Sequence, residues 1–134
     1  METNLRSKLM LTAAVLTLTA AAYGQDRGAN IPFAFRTITG ELAAGHYVVI
    51  RNRGPLALQN VNSNQTTFLG IGSPETDSEN AAPRLVFQCG SESGCVLSSV
   101  WNGNGRGVSY SAPRLKPSEL EHVAVIYLNR KPSE

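Results

Sequence analysis

Two cysteines, Cys89 and Cys95, stand at the ends of a short polar stretch between two segments rich in β-branched and aromatic residues. The segments run over 84–89 and 95–101, and the five residues between the cysteines include two glycines. Glycine favours tight turns and β-branched residues favour strands, so the pattern predicts a β-hairpin with its cysteines face to face. No other feature constrains the fold as strongly, because such a disulfide fixes the pairing of two strands.

The register of the hairpin follows from the alternation of side chains along a strand. Facing cysteines place Phe87 opposite Leu97 and Leu85 opposite Ser99 on one side of the pair. Trp101 comes two residues after Ser99 and is therefore expected on the same apolar face, in the core.

A structural disulfide suits these cysteines better than a metal or redox site does. Zinc needs about four ligands, and His46 and His122 show no local ligand spacing. Thioredoxin-like chemistry uses Cys-x-x-Cys at a helix N-terminus, whereas here five residues between strands separate the sulfurs. We therefore predict a Cys89–Cys95 disulfide, no metal and no cofactor.

The beginning of the chain predicts a helical signal peptide over residues 1–24. Two basic residues precede an uncharged run over 9–22, which is shorter than the roughly 20 residues that span a membrane. Ala22-Tyr23-Gly24 has the small-x-small pattern of a cleavage site, so we expect a mature chain from Gln25 with no stable membrane insertion. Export predicts a secreted or periplasmic protein in the cell envelope, where a disulfide persists.

The remaining residues, 25–134, have the size of a single domain. Removing the predicted signal peptide takes two of the 12 basic and one of the 10 acidic residues from the chain. The charge of the rest is close to balanced and its basic residues are scattered, so the composition argues against nucleic acid as a partner.

Period-two segments separated by turn residues predict an all-β domain: a small antiparallel β-sandwich or barrel of about eight short strands. The last segment is apolar on both faces, so we expect it at the centre of a sheet. The predicted strands cover 31–36, 45–51, 55–61, 66–71, 84–89, 95–101, 107–111 and 122–128.

Two longer segments interrupt this pattern. Residues 72–83 predict a polar, solvated loop; its alternating Glu75, Asp77 and Glu79 are oxygen ligands in type, but the glycine and terminal glutamate of a calcium loop are missing. The second segment, 113–121, predicts a connector with one helical turn that begins near Ser118.

The glycine-rich stretch 101–107 predicts a hairpin turn, because a strand rather than a phosphate-binding helix follows it. Trp101 and Arg106 border this turn and form a candidate ligand surface, next to the 72–83 loop. No catalytic constellation is evident: His46 and His122 lie in apolar strands, where packed structural histidines are the rule. We therefore predict that the protein is not an enzyme.

The sequence resembles a family of small exported bacterial β-proteins without an established activity. The resemblance rests on the signal peptide, on "NIPFAF" at 30–35, on "LAAGHYVV" at 42–49, and on "RLVFQCG" leading to "LSSVW" over 84–101. Ala43 stands where the family usually has proline, and the cysteines flank a turn that usually carries aromatic residues. The resemblance implies export and β-structure.

Two functional hypotheses follow. The first is an exported non-catalytic β-domain that binds an unknown protein or envelope component through its loops and sheet edges. The alternative is a small secreted enzyme or ligand carrier with a site near Trp101, Arg106 and the 72–83 loop.

Overall fold

A computed structural model of the protein describes residues 27–51, 55–77 and 81–130. The predicted signal peptide lies outside these ranges. Within them the chain forms twelve β-strands and no helix, which confirms the all-β prediction. The strands are β1 (Arg27–Ile31), β2 (Phe35–Thr37), β3 (Gly40–Leu42), β4 (Gly45–Ile50), β5 (Ala57–Asn60), β6 (Thr66–Phe68), β7 (Ser73–Thr76), β8 (Arg84–Gly90), β9 (Gly94–Trp101), β10 (Arg106–Ser109), β11 (His122–Tyr127) and β12 (Asn129–Arg130).

These strands form two sheets packed as a β-sandwich. The five-stranded sheet has the order β12-β1-β4-β5-β6, and the seven-stranded sheet has the order β11-β8-β9-β10-β7 with β2 and β3 attached to β9. The β2–β9 pair is parallel and the other pairs of described strands are antiparallel. Only Leu128, which is buried, separates β11 in one sheet from β12 in the other.

The core between the sheets is built around aromatic rings. Phe35 contacts Phe87 and Tyr47 edge to face, with ring centres 5.3 and 5.5 Å apart, and Phe33 contacts Phe87 at 5.1 Å. Edge-to-face pairs add a favourable quadrupole interaction to the burial of apolar area. Because Tyr47 lies on β4 and Phe87 on β8, these contacts join the two sheets.

The single strand predicted over 31–36 is wrong. Ile31 ends β1 in the five-stranded sheet, and Phe35 begins β2 in the seven-stranded sheet. Pro32 follows Ile31 directly and has no N–H to donate to a sheet, so it breaks the ladder where the chain changes sheets. Ile31 and Phe35 still face the same core, which explains why their alternation looked like one strand.

The cysteine hairpin is confirmed. Cys89 and Cys95 form a disulfide and pair directly across β8 and β9, and Phe87 pairs with Leu97. Cys89 is buried and belongs to the core cluster, against which Cys95 packs. In the chain-entropy model, closing this short loop stabilises the fold by about 2.4 kcal/mol.

Beyond Phe87 the predicted register is wrong, because β9 contains a bulge. The register shifts between Val86 and Phe87, so that Leu85 pairs with Val100 instead of Ser99. One extra residue in a strand reverses the faces of every side chain that follows it. Val100 therefore enters the core, and Trp101 lies on the side of the sheet turned away from the core, called the outer face below.

The central position expected for the segment 122–128 is also wrong. Its strand, β11, lies at the edge of the seven-stranded sheet and pairs with β8 alone among the described strands. Ala124 and Ile126 pack against the core, whereas the valines and tyrosine that alternate with them are exposed.

The two segments expected as loops differ from one another. Part of the 72–83 segment forms β7, which pairs with β10 and makes the opposite edge of the seven-stranded sheet, so the prediction of a loop throughout is wrong. The 113–121 segment is a connector with one turn, in which the Glu119 and Leu120 amides donate to the Lys116 carbonyl at 2.8 and 3.2 Å. Residue 79, whose side chain is an oxygen ligand in type, lies outside the described residues.

Candidate functional site

Trp101 is held on the outer face between Arg84 of β8 and Gly107 of β10, its register neighbours. The Arg84 guanidinium lies over the indole ring, 4.9 Å from its centre. The indole Nε1 donates a hydrogen bond to Ser99 Oγ at 3.0 Å. A Cβ atom on Gly107 would lie 2.6 Å from two ring carbons, so the ring fits only because this residue is glycine.

Arg84 extends this arrangement to β7. Its guanidinium pairs with Asp77 Oδ2 at 3.4 Å and donates to the Ala82 carbonyl at 3.2 Å. The Arg84 side chain is only 16% exposed, so solvent screens its contacts less than those of a surface arginine. Together Arg84, Asp77, Trp101 and Gly107 form what we call the Trp101 clamp, which ties the end of β7 to β8 and β10.

Arg106, the predicted partner of Trp101, lies elsewhere. It is exposed at the start of β10 and pairs in register with Thr76, while its neighbour Gly107 takes the place opposite Trp101. Successive side chains of a strand point to opposite faces, so the register puts Arg106 and Trp101 on different faces of the sheet. Arg84 is the cation that contacts the indole.

The outer side of β11 is an apolar strip. Val123, Val125 and Tyr127 are 53, 40 and 58% exposed, and we call these three residues the β11 strip. The strand contains no lysine, proline or acidic residue, which are the usual means of blocking a sheet edge. Its free edge presents main-chain N–H and C=O groups beside the strip, because no described strand pairs there.

A second surface feature is a cleft of about 140 Å³ near β7, β9 and β10. Most of its lining groups are hydroxyls or other hydrogen-bonding groups, so we call it the hydroxyl cleft. Ser109 Oγ donates to Glu75 Oε1 at 3.0 Å beside it. The lining residues are Ser73, Gln88, Ser98, Ser109, Tyr110, Ser111, Pro113 and Arg114.

Pro113 and Arg114 line the cleft and are the first residues of the 113–121 connector. The last residues of the connector are hydrogen-bonded to the cysteine hairpin. Glu119 accepts a hydrogen bond from Ser93 Oγ at 2.6 Å, and Glu121 accepts one from the Ser91 amide at 2.7 Å. The hydrogen bond from Ser93 lowers the pKa of Glu119, and those from Ser91 lower the pKa of Glu121, because each favours the charged carboxylate.

Tyr110 borders the cleft with its hydroxyl buried. Burial raises the pKa of Tyr110 to about 12, and the nearby Arg51 charge opposes part of that rise. The pKa of Arg51 is itself lowered by burial and by the neighbouring Arg27 charge. Tyr110 Oη has no hydrogen-bond partner among the described residues.

The two histidines are exposed, contrary to the packed positions expected for them. His46 lies on β4 and His122 on β11, and these strands belong to different sheets. Within the ranges that the structure covers, no group of three histidine, cysteine or acidic side chains is arranged to hold a metal ion. The same ranges contain no helix long and apolar enough to cross a membrane.

The motifs that carried the family resemblance have structural roles. Ile31 and Phe35 of "NIPFAF" are core residues, and so is Tyr47 of "LAAGHYVV". The Tyr47 hydroxyl donates to the Ala43 carbonyl at 2.7 Å and so closes the turn before β4. Comparison of the chain with family models, curated proteins and solved structures found no match. Membership of the family thus stays a prediction.

Sequence reasoning missed both surface features. The β11 strip was not predicted, because a strand that is apolar on both faces is typical of the centre of a sheet and was placed there. The hydroxyl cleft is built from five separate segments, so no local motif marks it. Four of its residues are serines, but serine is also common in turns, so the sequence positions of these serines alone do not indicate a site.

Proposed function

We propose that the protein is exported and that its β-sandwich is a non-catalytic domain that binds an extended strand of a partner polypeptide at the edge of β11. One observation carries this proposal: β11 combines an open edge with the exposed β11 strip. Main-chain groups along such an edge give affinity, and alternate side chains give specificity, when a peptide strand adds to a sheet.

The composition of the strip fits a polypeptide better than a polar ligand. A strand beside β11 would present every second side chain to the outer face, next to Val123, Val125 and Tyr127. Cross-strand pairs between β-branched and aromatic residues each stabilise a sheet by about 0.2–1 kcal/mol. We therefore expect the partner segment to alternate β-branched or aromatic residues with polar ones.

The disulfide supports the exported location. Cysteines that are paired in the native fold persist as a disulfide in an oxidising compartment and are kept reduced in the cytosol. The Cys89–Cys95 disulfide therefore fits an extracytoplasmic protein. The two histidines support a non-catalytic role, because they lie on strands of different sheets and so do not form one site.

Peptide selection tests strand addition. A displayed library of random decapeptides would be selected on the folded protein, and the binding of the winning peptides mapped by amide chemical shifts. We expect peptides with alternating apolar residues whose shifts centre on β11. Val125→Lys should abolish their binding, because a lysine blocks an edge.

Ile71→Lys is the matched control, since Ile71 is 93% exposed and lies outside the strip. It should bind the same peptides as the wild-type protein. Equal binding by the Val125→Lys variant, or shifts centred on another strand, would rule out strand addition at β11.

Export has its own test. The intact mass of the protein recovered from an exporting host should correspond to residues 25–134 and rise by about 2 Da on reduction, as two thiols form. A mass that includes residues 1–24, or free thiols before reduction, would contradict export.

A further inference from the structure

From the hydroxyl cleft we infer that the protein has a second binding site, one that takes a neutral monosaccharide unit. This site adjoins the β11 strip, because Gln88 pairs in register with Val123, but it does not depend on strand addition. It is assigned from the kind of groups that meet in the cleft, from their free hydrogen-bonding capacity and from the size of the space.

The lining groups match a sugar in type. A serine hydroxyl donates one hydrogen bond and accepts two, and a glutamine amide can do both, so each can serve either role of a sugar hydroxyl. Ser98, Ser111 and Gln88 provide three such groups. Only Arg114 is charged, and because it is exposed we place it at the rim.

These groups are free to bind. Within the described structure, the side chains of Gln88, Ser98, Ser111 and Arg114 make no hydrogen bond to another residue. Ser109 is already oriented, because its hydroxyl donates to Glu75 and leaves its oxygen lone pairs to accept from a ligand. A ligand hydroxyl there would donate to Ser109 Oγ.

The fold also explains why these groups converge. The bulge in β9 adds Ser98 between Leu97, which lies in the core, and Ser99, which accepts the hydrogen bond from Trp101. Ser98 lines the cleft. The Tyr110 amide donates to the Ser98 carbonyl at 2.9 Å, which holds the chain after β10 against the bulge. Pro113 then supplies an apolar surface for the C–H face of a sugar ring.

The size of the cleft agrees with one sugar unit. A cavity of about 150 Å³ binds benzene, so a cleft of about 140 Å³ takes about six non-hydrogen atoms, roughly half of a sugar ring with its hydroxyls. A hexose has about a dozen non-hydrogen atoms and would fill the cleft with part of its ring in solvent. Since a small polar ligand gains little affinity per atom, we expect a dissociation constant of the order of millimolar.

The experiment is a titration of the folded, disulfide-bonded protein with glucose, galactose, mannose and N-acetylglucosamine, followed by amide chemical shifts. We expect saturable shifts at Ser98, Ser109 and Ser111 with at least one of these sugars. Gln88→Met keeps the length of the side chain and removes its hydrogen bonds, so it should weaken binding by about 2- to 10-fold. Ser98→Ala should act in the same direction.

Ser63→Ala is the matched control, because Ser63 is an exposed serine in the turn before β6. It should bind the sugar as the wild-type protein does. Acetate and gluconate form a second arm of the experiment. Binding of these anions that is lost in Arg114→Gln and unchanged in Gln88→Met would replace a sugar site with an anion site and overturn the inference. Absence of saturable shifts with all four sugars would also overturn it, while leaving the β11 proposal intact.

Discussion

The two end strands of the β11-β8-β9-β10-β7 ladder meet solvent in different ways. β7 is four residues long, includes Pro74 and Glu75, and is tied down through Asp77 of the Trp101 clamp. β11 is six residues long and exposes two valines and a tyrosine. Short strands, proline and charge are the devices that keep an edge from pairing with another chain. The ladder therefore carries blocking residues at its β7 end and lacks them at its β11 end.

The largest expected effect comes from disrupting the Trp101 clamp, which holds the end of β7. Gly107→Val places side-chain atoms where the Trp101 ring lies, and we expect a loss of about 1–3 kcal/mol in the free energy of unfolding, typical of overpacking. Urea denaturation followed by circular dichroism measures it. The same substitution in a Trp101→Leu background should cost less, because it removes the clash with the indole and leaves only the 2.9 Å approach of the new Cβ to the Val100 carbonyl oxygen. An equal cost in both backgrounds would show that Gly107 is needed for another reason.

Removing the disulfide tests how much the cysteine hairpin, which pairs with β11, contributes to stability. Cys89 pairs with His122 of β11 as well as with Cys95, so the hairpin supports the edge strand. Cys89→Ala combined with Cys95→Ala should lower the free energy of unfolding by up to about 2.4 kcal/mol. Reduction of the wild-type protein should produce a shift of similar direction and size. If the reduced protein kept its full stability, the hairpin would not depend on the disulfide.

The contrast between the edges can also be reversed. Pro74→Val combined with Glu75→Val removes the two blocking residues of β7 together with the hydrogen bond from Ser109 to Glu75, and should lower the free energy of unfolding by about 0.5–1.5 kcal/mol. We expect a new concentration-dependent association, measured by sedimentation velocity. Val123→Lys combined with Val125→Lys should show no such gain. If the β7 variant sedimented as the wild-type protein does, blocking residues would not explain the difference between the edges.

The smallest expected effect concerns pH. Glu119 and Glu121 have lowered pKa values, so their hydrogen bonds to the hairpin are complete above the ordinary value of 4.5 and are lost as pH falls through the lowered values. The amide shift of Ser91 should titrate with a midpoint below 4.5. Glu121→Gln should remove that titration. A midpoint above 4.5 would mean that the hydrogen bond does not favour the charged carboxylate.

Much of the fold could be predicted from local patterns. The pairing of Phe87 with Leu97 followed from the cysteines because the strand is regular between them. The prediction failed one residue later, since the bulge shifts the phase of the alternation, and Val100 and Trp101 are both apolar, so either phase places an apolar residue on the core face. The predicted core position of Trp101 failed for this reason.

The candidate site was less predictable than the fold. The alternating pattern of β11 does not tell whether a neighbouring strand covers its second face, because that depends on the order of strands in the sheet. Gly107 was expected where a glycine-rich turn meets the strand 107–111, and nothing in that pattern indicates that it lies beneath an indole ring from another strand. Both features depend on contacts between residues far apart in sequence.

The bulge in β9 has a spectroscopic consequence. Trp101 is the only tryptophan of the chain, and the bulge moves it out of the aromatic core into contact with Arg84 and Gly107. Its intrinsic fluorescence therefore reports on the surface beside β7 and not on the packing of Phe35 and Phe87. Emission would change when the clamp opens, even while the sandwich stays folded, so an unfolding curve recorded by fluorescence alone would describe one side of the molecule.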